Sequence, residues 1–208
     1  KKWLTLLLAF SGAYLLSITV LHLIPHIYLK QFPYTGFFIL LGFFIQIIIE
    51  FFSEGIEHGH IHEHHEDDRA FPFTMMIALS IHSLLEGMPL AEVNPDFFSF
   101  IRNPLLIGII LHNIPISISL VSMFMIAGIK KKTILFWLFI FACMTPVGMA
   151  IGGMFGHQAG NNYDMYINYI LAIVVGIFLH ISTTILFESG EEHRFNVVKM
   201  AVILLGGG

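Results

Sequence analysis

Apolar residues run along this chain in long blocks, separated by short stretches rich in proline, asparagine and charge. Seven blocks stand out, at residues 3–24, 35–52, 73–91, 104–127, 133–155, 165–187 and 195–205. A helix crossing the hydrocarbon layer needs about 20 mostly apolar residues, and six of the blocks are close to that length. The breaks fall where turn formers gather: Pro25 and Pro33, Pro72, Asn94-Pro95, Asn103-Pro104 and Asn161-Asn162. The pattern predicts an all-α fold, a polytopic transmembrane helix bundle, with residues 1–208 forming a single transmembrane domain.

The basic residues test that count. With seven spans, one side of the membrane receives Lys1, Lys2, Arg69, Lys130, Lys131, Lys132, Arg194 and Lys199, and the other only Lys30 and Arg102. Such an asymmetry marks the first side as cytosolic, so the chain starts inside and ends outside. Composition agrees: 56% of residues are hydrophobic and 12% charged, against about 25% charged in soluble domains. A single cysteine, Cys143, excludes an internal disulfide, a cysteine zinc cage and an iron–sulfur cluster. The formal net charge of −4 argues against a nucleic-acid partner, which would need a surplus of Lys and Arg.

The longest connection, residues 53–71, lies on the cytosolic side and reads SEGIEHGHIHEHHEDDRAF. It carries His58, His60, His62, His64 and His65 among six carboxylates. Such a tract is too polar to build a core and is rich in metal ligands, so an accessory metal site is expected there.

An ionisable group in hydrocarbon costs about 2.5–3.5 kcal/mol even on lenient scales, so each one inside a span calls for a reason. His82 and Glu86 are four residues apart and project from one helical face. In the following span come His112, Asn113 and, two residues on, Pro115, whose missing N–H frees the Leu111 carbonyl. Two imidazoles and a carboxylate from adjacent helices make a nitrogen and oxygen ligand set suited to Zn²⁺, and acceptable to Fe²⁺ or Mn²⁺.

Weaker rows flank this cluster. His22 and His26 stand near the outer end of the first span, as interfacial residues or as the lining of an entrance. Gly42, Gln46, Glu50 and Glu54 descend the second span toward the histidine-rich loop, and Gly176, His180, Thr184 and Glu188 repeat that spacing in the sixth. Gly148, Gly152 and Gly156 follow Pro146 in the fifth, where small residues every four positions let a second helix approach.

The segment His82-Ser83-Leu84-Leu85-Glu86-Gly87 resembles a signature of the ZIP (Zrt/Irt-like protein) metal transporters, commonly written His-Asn-x-Pro-Glu-Gly. His112-Asn113-Ile114-Pro115 and Thr145-Pro146-Val147-Gly148 resemble the signatures that follow it in the next two helices. The resemblance implies an eight-span fold with both termini outside, of which this chain is expected to supply the second to the eighth. It implies transport of divalent metal into the cytosol, with Zn²⁺ as cargo and Fe²⁺ or Mn²⁺ as alternatives. His82, Glu86, His112 and Asn113 would then be the metal residues, with Ser83 beside them. Ile116 and Thr145 stand where many members carry glutamates of a second metal position, so a mononuclear site is expected. Leu85 replaces the usual proline, which implies a straighter third span.

The resemblance also implies an alternating-access or elevator-like motion in a plasma or bacterial inner membrane. The residues alone leave an intramembrane zinc hydrolase and a non-transporting metal sensor open, since two histidines and a glutamate also form a catalytic zinc set. They leave open, too, whether the working unit is a homodimer.

Overall fold

The structure is a computed structural model, and it describes residues 2–53, 71–93, 96–188 and 197–208. The histidine-rich tract, Glu54, Asn94-Pro95 and Phe195 lie outside the described residues. Those described are overwhelmingly helical.

The first span runs further than the sequence suggests. Helix α1 (Lys2–Ile18) passes through a π-helical turn, Thr19–Leu23, into α2 (Ile24–Leu29) without a break. Pro25 was expected to end this span and does not. Across the π turn the Ile24 N–H reaches back to the Thr19 carbonyl, so the proline falls in the first turn of α2, where a missing N–H costs nothing. The turn to α3 (Thr35–Ser53) uses left-handed backbone at Gln31 and Tyr34, with φ of 51° and 64°.

Helix α4 (Phe71–Gly87) continues as a 3₁₀ turn, Met88–Glu92. A short helix not foreseen in the sequence, α5 (Phe97–Ile101), is capped by the Asp96 carboxylate, which accepts the Ser99 N–H at 3.1 Å. Helix α6 (Pro104–Ile126) opens on a proline, with Asn103 Oδ1 accepting the N–H groups of Leu105 and Leu106, and it runs on through Pro115. Helices α7 (Lys131–Ala159) and α8 (Tyr163–Glu188) are joined by Gly160–Asn162, where Gly160 takes a φ of +53°. Gly152 of α7 and Leu171 of α8 both approach the Met88–Pro89 turn, so the chain folds back between them. Helix α9 (Val197–Gly207) lies against α1 and has 11 residues, about half the thickness of the hydrocarbon layer.

Two helix pairs organise the bundle. The most extensive is α3 with α8, which run parallel from the Thr35–Asn168 contact at one end to Glu50–His180 at the other. A Cβ on Gly42 would fall 1.9 Å from the Ile173 carbonyl oxygen, so the two backbones touch there. The second pair is α4 with α7, where a Cβ on Gly148 would fall 2.0 Å from the Leu84 oxygen and one on Gly87 would fall 2.2 Å from the Thr145 oxygen. Gly148 and Gly152 thus act as the spacing suggests. Gly156 instead makes room for the Tyr163 ring at the turn into α8.

The distribution of side chains is that of a protein in lipid. On α3 the bulky residues Phe37, Leu40, Phe44, Ile48 and Phe51 face outward, Phe51 being 77% exposed, while Gln46 on the opposite side is 0% exposed. Five stretches are long and apolar enough to cross a membrane: Trp3–Leu29, Thr35–Phe52, Phe73–Glu92, Pro104–Ile126, and Lys131–Phe187, which contains both α7 and α8. This is an integral membrane protein. Its apolar core is split into one cluster centred on α1 and α8, including Leu15 and Phe178, and another on α4, α6 and α7, including Leu79 and Phe124.

Candidate metal centre

Between those two apolar clusters the interior turns polar. His82 and Glu86 project from α4 and His112 from α6, and each is 0% exposed. Their coordinating atoms all lie within 4.8 Å of one another, the one such group of three among the described residues. His82 Nε2 is 3.0 Å from Glu86 Oε1, and the His112 ring meets that of His82 edge-on, with centroids 5.8 Å apart. A tetrahedral zinc site with ~2.1 Å bonds sets its ligand atoms about 3.4 Å apart, and this group lies near that spacing, between the 3.0 Å of His82–Glu86 and an outer limit of 4.8 Å.

A third helix fixes how these groups present themselves. The other ring nitrogen of His82, Nδ1, lies 3.1 Å from Gln46 Oε1 on α3. With the amide oxygen turned toward it, Nδ1 is the donor in this contact, and Nε2 faces Glu86 as a lone pair in the neutral ring or as an N–H in the protonated one. With the ring neutral, two acceptors face each other at 3.0 Å, in a place where no hydrogen bond reaches either Glu86 oxygen among the described residues. A cation between them, a proton or a metal ion, reconciles such a pair. In metal sites, an outer partner of this kind orients a ligating imidazole and sets its tautomer.

The local packing explains why the helices hold this register. Gly87, directly after Glu86, is where the α7 backbone meets α4, and Leu84, two residues before it, receives Gly148. Helix α7 is therefore pressed against the turn that carries the carboxylate. Ser83 donates to Asn113 Oδ1 at 3.3 Å, tying α4 to α6 one residue along from both histidines. Asn113 is partly buried and shares with Ser117 and Thr145 the polar part of a cavity of about 530 Å³ between α6 and α7. Ile116 is 0% exposed and belongs to the apolar cluster of that region.

The flanking rows divide. On α3, Gly42 serves packing, Gln46 serves His82, and Glu50 lies 3.3 Å from His180 Nδ1, with Phe43 edge-on to the same imidazole. The sequence pattern placed Gln46 in a polar row but gave no hint that it meets His82. Helical spacing says which residues share a face and not which helix that face meets. His22 and His26 are exposed and sit apart from the centre, on a second cavity described below.

The family model described as ZIP Zinc transporter matches residues 57–208, most of the chain. The chain belongs to the ZIP zinc transporter family. Its relatives include zntD of Dictyostelium discoideum, 28% identical over 166 residues, covering 74% of this chain and 24% of that protein. Zinc transporter ZIP1 of Mus musculus is 21% identical over 251 residues, covering 99% of this chain and 76% of the mouse protein. Zinc transporter ZIP9 of Xenopus tropicalis is 28% identical over 116 residues, covering 55% of this chain and 38% of the frog protein. The ZIP-family chain thus spans about a quarter of zntD and about three quarters of mouse ZIP1. No solved structure matches it significantly. Membership of a transporter family sets aside the hydrolase reading, which the residues alone had left open.

Proposed function

We propose that this ZIP-family chain carries zinc across the membrane into the cytosol, holding the ion in passage on His82, Glu86 and His112, with Asn113 beside them. One observation carries the reading: three nitrogen and oxygen donors from two helices converge, fully buried, within 4.8 Å of one another. Three protein ligands leave a fourth zinc position open to exchangeable water, which suits an ion that must leave again. Zinc is favoured over iron or manganese by the ligand set and by the names of the relatives, which are zinc transporters.

The asymmetry of Lys and Arg across the spans marks the cytosolic side, and the inward direction is what the resemblance to the ZIP family implies. The apolar surroundings of Ile116 and the hydroxyl of Thr145 favour a single ion over a pair. His58, His60, His62, His64 and His65 would receive the ion on the cytosolic side.

The test is zinc uptake by liposomes carrying the purified protein, beside the His82→Ala/Glu86→Ala variant, with Mn²⁺ and Fe²⁺ as competitors. Uptake should fall to the leak of empty liposomes in the variant, and Zn²⁺ should outcompete the other two ions. Equal uptake by both proteins would refute the assignment.

A further inference from the structure

Three helix ends meet on the side assigned to the outside: the end of α2, the Met88–Glu92 turn and the start of α6. They enclose a cavity of about 570 Å³ whose polar lining is His22, His26, Glu92, Ser99 and Asn103. His22 lies in the π turn and His26 follows four residues later, on the same side of the helix and exposed. Two imidazoles at this spacing are a general way for one helix to chelate a transition-metal ion. A π turn in an otherwise α-helical span is also a frequent mark of a functional position.

The other polar groups sort themselves by their bonds. Asn103 Oδ1 is used by the N–H groups of Leu105 and Leu106, and the Ser99 hydroxyl donates to Asp96 at 3.2 Å. Glu92 is the carboxylate of the lining, and Lys30 Nζ holds it at 2.8 Å. The lining that remains is two imidazoles and a carboxylate that carries its own counter-ion, and with Glu92 on Lys30 these three do not converge as His82, Glu86 and His112 do.

The cavity also backs onto the interior. Pro89 and Leu105 line it, while their neighbours Leu90 and Leu106 line the α6–α7 cavity that includes Asn113. Leu90 and Leu105 are buried, so an apolar partition separates the two spaces.

We propose that this outer cavity is a capture site for a divalent cation of the zinc class. His22 and His26 chelate the ion, and Glu92 leaves Lys30 to join them. Lys30 is therefore a built-in competitor: it neutralises Glu92 when no metal is present and weakens the site enough for the ion to move on. That the captured ion is then passed inward rests on the transport reading, whereas the binding does not.

The experiment is equilibrium titration of the purified full chain with zinc chloride, for wild type, His22→Ala/His26→Ala and Lys30→Gln. The double variant should lose one zinc equivalent per chain. Lys30→Gln should bind that same equivalent about 3- to 5-fold more tightly, the factor expected of an exposed ion pair. A residue of merely structural importance would not tighten binding when removed. Unchanged stoichiometry in the double variant, or no tightening in Lys30→Gln, would overturn the proposal. Failure of zinc flux in wild-type liposomes would instead count against the transport reading and leave this site standing.

Discussion

His82 is held between two helices by its two ring nitrogens: Nδ1 stands 3.1 Å from Gln46 Oε1 on α3, and Nε2 stands 3.0 Å from Glu86 Oε1 on its own helix. The amide oxygen holds the hydrogen on Nδ1, and once Nε2 is deprotonated its lone pair is aimed at the place where a metal would sit. Replacing Gln46 by leucine removes that control while keeping the bulk. Zinc affinity at the centre should fall about 10- to 100-fold, the usual loss when the partner of a ligating histidine is removed. Gln46→Glu, which can still accept from Nδ1, should retain most of it. Competition against a chelator of known affinity measures both.

On the proposed reading Glu86 serves zinc at the expense of the zinc-free fold. Its carboxylate is fully buried with no hydrogen bond to either oxygen among the described residues, and a buried acceptor left without a donor costs about 1–3 kcal/mol. Glu86→Leu should therefore unfold at a temperature at least as high as wild type in zinc-free buffer. It should also lose the upward shift that added zinc gives the wild type. Thermal unfolding in detergent, with and without zinc, reads both effects.

The α4–α7 contact is made by backbone against backbone. A side chain at Gly148 would have to occupy the position of the Leu84 carbonyl, which cannot move without moving the helix turn between His82 and Glu86. Gly148→Leu should cost at least about 1–3 kcal/mol of stability, the usual penalty of overpacking. Zinc binding should fall with it, while Gly153→Ala, whose new Cβ would meet only the Ala91 side chain at 3.8 Å, should change neither. Denaturation midpoints of the two variants separate these outcomes.

Coordination needs both imidazoles neutral, so protons compete with the metal. Two imidazoles belong to the cluster, and each loses its ligating lone pair when it is protonated. The sign follows: apparent zinc affinity is full at higher pH and declines as pH falls, by up to about 100-fold per pH unit once both imidazoles protonate. Titrations between pH 5 and 8 should show that decline, and each zinc bound near the lower end should release protons to an unbuffered solution.

Much of this architecture is legible in the amino-acid order, because in lipid a span must be apolar over its whole length and a polar residue inside it must have a purpose. His82 and Glu86 are visible as a pair from their spacing alone, and His112 joins them by its chemistry and its neighbouring span. What the order hides is tertiary. Gln46 lies in a row that could have faced any helix, and only the Gly42–Ile173 contact, which sets α3 against α8, shows how that row is turned. Pro25 looked like a terminator because a π turn that absorbs a missing N–H has no sequence signal of its own. The Lys30–Glu92 pair joins residues 62 positions apart and has no local pattern at all.

The central claim is that zinc sits on His82, Glu86 and His112. X-ray absorption at the zinc edge tests it most directly, on protein in which His22, His26 and the five loop histidines are replaced by asparagine. One zinc per chain should remain, with two imidazole nitrogens and carboxylate or water oxygen in its shell at about 2.0–2.2 Å, and His112→Ala should remove one of those nitrogens. A bound zinc whose shell is the same in the His112→Ala protein would contradict the account.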